Sequence, residues 1–171
     1  MDIRHQEKKD LAYLNQFTEV LMELCCDITT IYNFRRELIE QQLSVTPEPE
    51  QQAKILEANL KLTTKLIKSN PKTYAIWSFR QWLVMKLFLL TKTSQVVEGD
   101  LELCKFMLMK DEKNFHVWNY RHWLNSLTVN IDRAIQFVHE KIKSNPFNFS
   151  PYHFLTKHIM EKYDRLIGAN H

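Results

Sequence analysis

The segments NPKTYAIWSFRQWL, Asn70 to Leu83, and DEKNFHVWNYRHWL, Asp111 to Leu124, are two copies of one pattern, and together they hold all four tryptophans of the chain. Trp77 aligns with Trp118, Arg80 with Arg121, Trp82 with Trp123 and Leu83 with Leu124. A weaker copy lies upstream in ITTIYNFRREL, where Tyr32 stands for the tryptophan, Arg35 for the arginine and Leu38 for the leucine. A fourth, NPFNFSPYHFLTKH, opens on Asn145-Pro146 and has Tyr152 at the aromatic position, but Leu155 replaces the arginine. A chain that repeats at periods of 45, 41 and 34 residues is read as an array of supersecondary units, each burying its apolar face against the next.

The stretch before each motif repeats as well. Leu56, Leu60, Thr63 and Ile67 are spaced 4-3-4, one stripe of an amphipathic helix. Val97, Leu101, Cys104 and Leu108 keep that spacing, as do Ile131, Ile135, Val138 and Ile142, and each last stripe residue lies ten positions before its aromatic. In the first copy Leu11 and Met22 are apolar in frame, whereas Asn15 and Thr18 are polar. Each unit therefore reads as helix, short turn, helix. Asn-Pro suits such a turn, with proline at the first helical position and asparagine capping just before it. The expected fold is all-α, an α-α superhelix (solenoid) of about four helical hairpins over a single domain 1–171, with repeats at 8–43, 47–91, 96–128 and 130–164. Ser44 to Glu50, with Pro47 and Pro49, reads as one inter-unit loop, and Thr91 to Ser94 with Gly99 and Asp100 as the next.

Composition agrees and excludes much. Two glycines in 171 residues argue against a many-stranded β fold and leave no Gly-rich phosphate loop. A net charge of +3 without like-charge blocks does not point to nucleic acid. The opening MDIRHQEKKDL lacks the apolar core of a signal peptide, and the greasiest run, Trp82 to Leu90, is nine residues long and contains Lys86, too short for a membrane span. Three cysteines, two of them adjacent, fit neither a disulfide framework nor a zinc spacing, and a reducing, cytoplasmic setting is expected.

In W-x-x-R the aromatic and the arginine lie one helical turn apart on one face. Both are expected to serve stacking, the indole between hairpins and the guanidinium on helix-end carbonyls or an acidic neighbour. Lys72, Tyr74, Asn114 and His116 sit instead at the turn or the first turn of the second helix, where hairpin arrays line one rim. A cation, a phenol and an imidazole beside helix N-terminal amides would suit an anionic ligand, although spacing alone favours a solvated lysine and a partly packed histidine. His5, His122, His139, His153, His158 and His171 show no H-x-x-x-H or H-E-x-x-H spacing, so no metal site is expected within the chain. No serine or cysteine carries a nucleophile signature.

N-P-K-x-Y-x-x-W-x-x-R with D-x-K-N-F-H-x-W-x-Y-R-x-W resembles the repeats of protein prenyltransferase alpha subunits, over about residues 25 to 158. The resemblance implies a crescent of hairpins around a β subunit that holds the catalytic zinc and most of the isoprenoid pocket, so no cofactor is expected on this chain. It further implies that Lys72 and His116 reach the diphosphate of the lipid donor, with Tyr74 and Asn114 close to the same site. Enzymes of this family that read a CaaX box carry glutamine after the tyrosine of N-P-K-x-Y. Here that residue is Ala75, and Phe115 stands where they usually have tyrosine. Both departures favour the Rab-directed, type II geranylgeranyltransferases, whose partners are the β subunit and a Rab GTPase presented by its escort protein. A CaaX farnesyl- or type I geranylgeranyltransferase alpha subunit, and a non-catalytic helical-repeat scaffold, remain as alternatives.

Overall fold

The computed structural model describes residues 3–128 and 130–168. Among them run eight helices: α1 (Ile3–Leu24), α2 (Thr29–Ser44), α3 (Pro49–Ser69), α4 (Tyr74–Thr91), α5 (Gln95–Lys110), α6 (Phe115–Thr128), α7 (Ile131–Ser144) and α8 (Phe149–Gly168). The protein is all-α and built of helical hairpins, as the repeat demands. The chain divides into two compact units, Met1–Val96 with the first two hairpins and Val97–His171 with the last two.

One turn closes every hairpin. The residue that ends the first helix donates its N–H to the carbonyl four residues back: Cys25 to Leu21, Asn70 to Leu66, Asp111 to Met107, Asn145 to Lys141. Its own carbonyl then accepts from the residue three ahead, as Ile28, Thr73, Asn114 and Asn148 donate at 3.3, 3.3, 3.1 and 3.2 Å. Asn70-Pro71 and Asn145-Pro146 therefore open a four-residue turn, asparagine first and proline second, the order β-turns favour. This corrects the expectation that proline begins the second helix. Proline's fixed φ suits the turn equally well, and its missing N–H is not wanted there.

The aromatic of each motif locks onto this turn. Tyr32 Oη donates to the Cys26 carbonyl at 2.8 Å, Trp77 Nε1 to Pro71 at 2.9 Å, Trp118 Nε1 to Glu112 at 2.9 Å, and Tyr152 Oη to Pro146 at 3.2 Å. The acceptor is always the carbonyl six residues back, so a buried ring can satisfy its polar atom only with this turn in place. The same ring packs between hairpins within a unit. Tyr32 meets Phe79 edge-on with centroids 5.6 Å apart, and Trp118 stacks on Phe154 at 5.3 Å. In each case the partner lies two residues past the next copy's aromatic.

The arginine performs a second cross-tie. Arg35 Nη1 donates to the Asn15 carbonyl, Arg80 Nη1 to Leu60 at 2.9 Å, and Arg121 Nη1 to Leu101 at 3.0 Å, each twenty residues back in the first helix of its own hairpin. These carbonyls are in mid-helix, not at helix ends as expected. Threonine hydroxyls complete the shell, Thr18 for Arg35 at 2.8 Å and Thr63 for Arg80 at 2.8 Å. The polar Thr18 of the first stripe thus serves the guanidinium, whereas the Asn15 side chain donates to the Leu11 carbonyl and only its backbone meets Arg35. Arg121 lacks a threonine and lies instead over the Phe137 ring, 3.5 Å from its centroid.

Packing between hairpins follows one rule in both units. The second helix of a hairpin packs on both helices of the next, α2 on α3 and α4, α6 on α7 and α8. The stripes at Leu56, Leu60, Thr63 and Ile67 and at Val97, Leu101, Cys104 and Leu108 are buried throughout. Ser44 to Glu50 is broken as expected, α3 starting at Pro49. The second inter-hairpin loop is shorter than expected. Gly99 and Asp100 lie inside α5, where nothing crowds the glycine and the buried Asp100 carboxylate accepts from Tyr120 Oη. That tertiary bond outweighs the roughly 1 kcal/mol that glycine costs within a helix. The chain turns at Lys92 instead, which takes the left-handed conformation at φ 54°.

Truncating Trp118 to alanine should lower stability by about 3–5 kcal/mol. Trp118→Phe, which keeps the stack on Phe154 but not the bond to Glu112, should cost about 1 kcal/mol. Urea unfolding distinguishes these, and an unchanged midpoint for Trp118→Phe would dismiss the turn bond as a stabilising element.

Candidate functional site

The four residues expected to meet a ligand lie at equivalent levels of two successive hairpins. Lys72 and Tyr74 belong to the first unit, at the third position of the α3–α4 turn and the first of α4, and both are exposed, Tyr74 to 69%. Asn114 and His116 belong to the second unit, at the end of the α5–α6 turn and the second position of α6.

Asn114 is 3% exposed, and its amide oxygen accepts from the His116 N–H at 3.0 Å and the Val117 N–H at 3.3 Å. It is the N-cap of α6, satisfying two of the amides left over at the helix start. Asn148 does the same for α8, accepting from Ser150 at 3.0 Å. Thr73 precedes α4 without a side-chain capping bond. The cap holds the turn that carries the half-buried His116, whose ring stands edge-on to Phe115 at 6.2 Å. Ala75, which follows Tyr74, is buried at 8% exposure and offers no side-chain hydrogen bond.

A second cluster went unseen in the sequence. His122 on α6 meets His158 and Glu161 on α8, with one ligand-type atom of each within 4.8 Å of the others. Only His158 and Glu161, three residues apart on α8, are near in sequence. The readable signal was the repeat itself: His158 occupies the position of Leu38, Leu83 and Leu124 in the other copies. His171 and the side chain of His5 lie outside the described residues.

Comparison with known proteins bears on the two strong copies. Residues 56–87 and 97–127 match the protein prenyltransferase alpha subunit repeat. These stretches run through α3–α4 and α5–α6 and include all four expected ligand residues. The chain is similar to the geranylgeranyl transferase type-2 subunit alpha of Bos taurus, 39% identical over 61 residues, which is 36% of this chain and 11% of that protein. The subunit alpha 1 of Arabidopsis thaliana is 29% identical over 81 residues, 45% of this chain and 12% of the relative. The type-2 alpha subunit of Candida albicans is 32% identical over 79 residues, 45% of this chain and 21% of the relative. The chain thus aligns with a small part of each relative's length. Among the described residues no helix is long and apolar enough to cross a membrane.

Removing the α6 cap isolates its part. Asn114→Ala should destabilise the protein by about 1 kcal/mol, while Asn114→Asp, which can cap and favours the helix dipole, should lose only a few tenths. Equal losses in thermal denaturation would rule out capping as the role of this residue.

Proposed function

We propose that this chain works as the alpha subunit of a heterodimeric protein prenyltransferase. In this reading it helps a β subunit transfer a geranylgeranyl group from its diphosphate to C-terminal cysteines of Rab GTPases delivered by an escort protein. The observation that carries the proposal is the match of two prenyltransferase repeats spanning Lys72, Tyr74, Asn114 and His116, in a chain similar to type-2 alpha subunits. The exposure of Lys72 and Tyr74 and the partial exposure of His116, each at or beside a hairpin turn, support it.

The reaction joins the cysteine sulfur to the first carbon of the lipid while the bond from that carbon to the diphosphate oxygen breaks. The electron pair leaves with the diphosphate. Activation of the thiol belongs to zinc on the β partner, and the four residues of this chain are not asked to hold it. Their task is the leaving group. Negative charge grows on the diphosphate as the bond breaks, so donors aimed at it bind the transition state more tightly than the ground state. Lys72 contributes an ammonium, His116 a ring N–H and Tyr74 a phenolic O–H. Asn114 contributes by fixing the first turn of α6 and so the direction of His116.

Co-expression with a type-2 β subunit from the same source tests this directly. The pair should copurify and geranylgeranylate Rab in the presence of escort protein. Lys72→Ala and His116→Ala should each lower turnover about 10- to 100-fold, the loss of one charge-assisted contact, with heterodimer assembly unchanged. Full activity in Lys72→Ala would refute the assignment of the diphosphate site, and failure of any β subunit to bind would refute the subunit reading.

A further inference from the structure

The fourth hairpin breaks the pattern of the other three in one buried place. Where they carry a leucine, Leu38, Leu83 and Leu124 at 4%, 0% and 0% exposure, α8 carries His158 at 3%. A core leucine exchanged for an imidazole puts two polar nitrogens where apolar packing served before. The exchange occurs in the copy that also lacks the arginine cross-tie, Leu155 standing in its place.

His158 Nδ1 is buried and has no hydrogen-bond partner, and the same is true of Nδ1 of His122. Such groups cost roughly 1–3 kcal/mol each and are rare without an unseen water or ion. The neighbours say which. Glu161 Oε1 lies 3.2 Å from His122 Nε2, while Oε2 lies 3.6 Å from His158 Nδ1, too far for a hydrogen bond. The two imidazoles are 4.9 Å apart between centroids. Ligand atoms about 2.0–2.2 Å from a tetrahedrally coordinated ion stand about 3.3–3.5 Å from one another, close to both histidine–glutamate separations and within the 4.8 Å that spans the trio.

We propose that His122, His158 and Glu161 bind one divalent transition-metal ion of the zinc class, tying α6 to α8.

Burial lowers the pKa of both histidines, which keeps the rings in the neutral form that coordinates metal. Arg121 and Lys157 add positive charge nearby. Binding must therefore come from the two nitrogens rather than from accumulated carboxylates, which selects a borderline ion such as zinc and rejects calcium and magnesium. Glu161 and His122 are partly exposed, giving the ion a way in and leaving a fourth position for water. The tie crosses from α6 to α8, a different pair from the α7–α8 pair that the missing arginine would join. This site is separate from the diphosphate reading, and its test does not depend on prenyl transfer.

The 171-residue chain, stripped with chelator, is titrated with zinc chloride by calorimetry, and cobalt(II) is used to read coordination from its visible absorption. One equivalent of zinc should bind, the Tm should rise by several degrees, and cobalt should give the intense bands of four-coordinate nitrogen and oxygen ligation. Magnesium and calcium should do neither. His158→Leu, which restores the leucine of the other copies, and Glu161→Gln on the partly exposed rim should each weaken zinc binding at least tenfold while remaining folded. Absence of zinc binding at micromolar concentration overturns the proposal. Binding that survives both substitutions also overturns it, because the ion would then be held elsewhere.

Discussion

A helix carbonyl in mid-span already accepts a bond from its own helix, yet it keeps a second lone pair that tertiary structure can use. In the first three hairpins a buried guanidinium takes that lone pair, twenty residues back along the chain, at Asn15, Leu60 and Leu101. The bond fixes the height of the second helix against the first to within one residue, since only one carbonyl stands at that level. Burial pushes the pKa of Arg35 and Arg121 down, a measure of what desolvation costs a cation, and arginine nevertheless stays protonated. Carbonyl and hydroxyl dipoles therefore stand around the charge. The aromatic one turn earlier fixes the opposite end by bonding to the turn. Two bonds at two heights define a rigid hairpin, and everything stacked on it inherits that geometry.

The fourth hairpin shows which of the two bonds is dispensable. Tyr152 retains the turn bond, and Phe154 still receives the Trp118 ring, but Leu155 cannot bond to a carbonyl. Its helices are held instead by apolar packing through Ile131, Ala134, Val138 and Phe154, all buried, and by the Lys162–Asp132 ion pair at 2.5 Å. The latter is exposed at both ends and contributes little. His158 and Glu161 lie in this less constrained hairpin, His158 one turn past the lost arginine, while His122 lies on α6 of the hairpin before.

Architecture was legible in the sequence because it is written as period and spacing, and both survive without knowledge of partners. The stripes at 4-3-4 and the fixed offset to the aromatic gave the helices, their pairing and most of the core. What went wrong was local chemistry with a distant partner. Gly99-Asp100 has the composition of a loop, and only Tyr120, twenty residues on, makes that aspartate a helical core residue. The arginines were placed on helix ends because orphan carbonyls are there, whereas the mid-helix lone pair leaves no trace in composition. Asn114 was read for its ligand chemistry and proves to cap α6, a role that Asn148 repeats in the next copy. The two histidines and Glu161 escaped a search for short motifs because His122 sits on another helix. Comparing each position with its counterpart in the other copies would have marked His158 at once.

The clamp also explains why a ligand site can be carried at the hairpin turns without disturbing the array. Each aromatic bonds to the backbone carbonyl of the turn's second residue, Cys26, Pro71, Glu112 or Pro146, and makes no demand on the side chain that follows. The third turn position is accordingly Asp27, Lys72, Lys113 or Phe147, and the first helical residue Thr29, Tyr74, Phe115 or Phe149. Charge, polarity and size all change there within one sequence while the motif behind stays put. Tyr74 and Phe149 are 69% and 81% exposed, so these residues carry little of the folding free energy. A lysine at one turn and a histidine at the start of another helix can therefore stand there at small cost to the fold, because the clamp lies underneath.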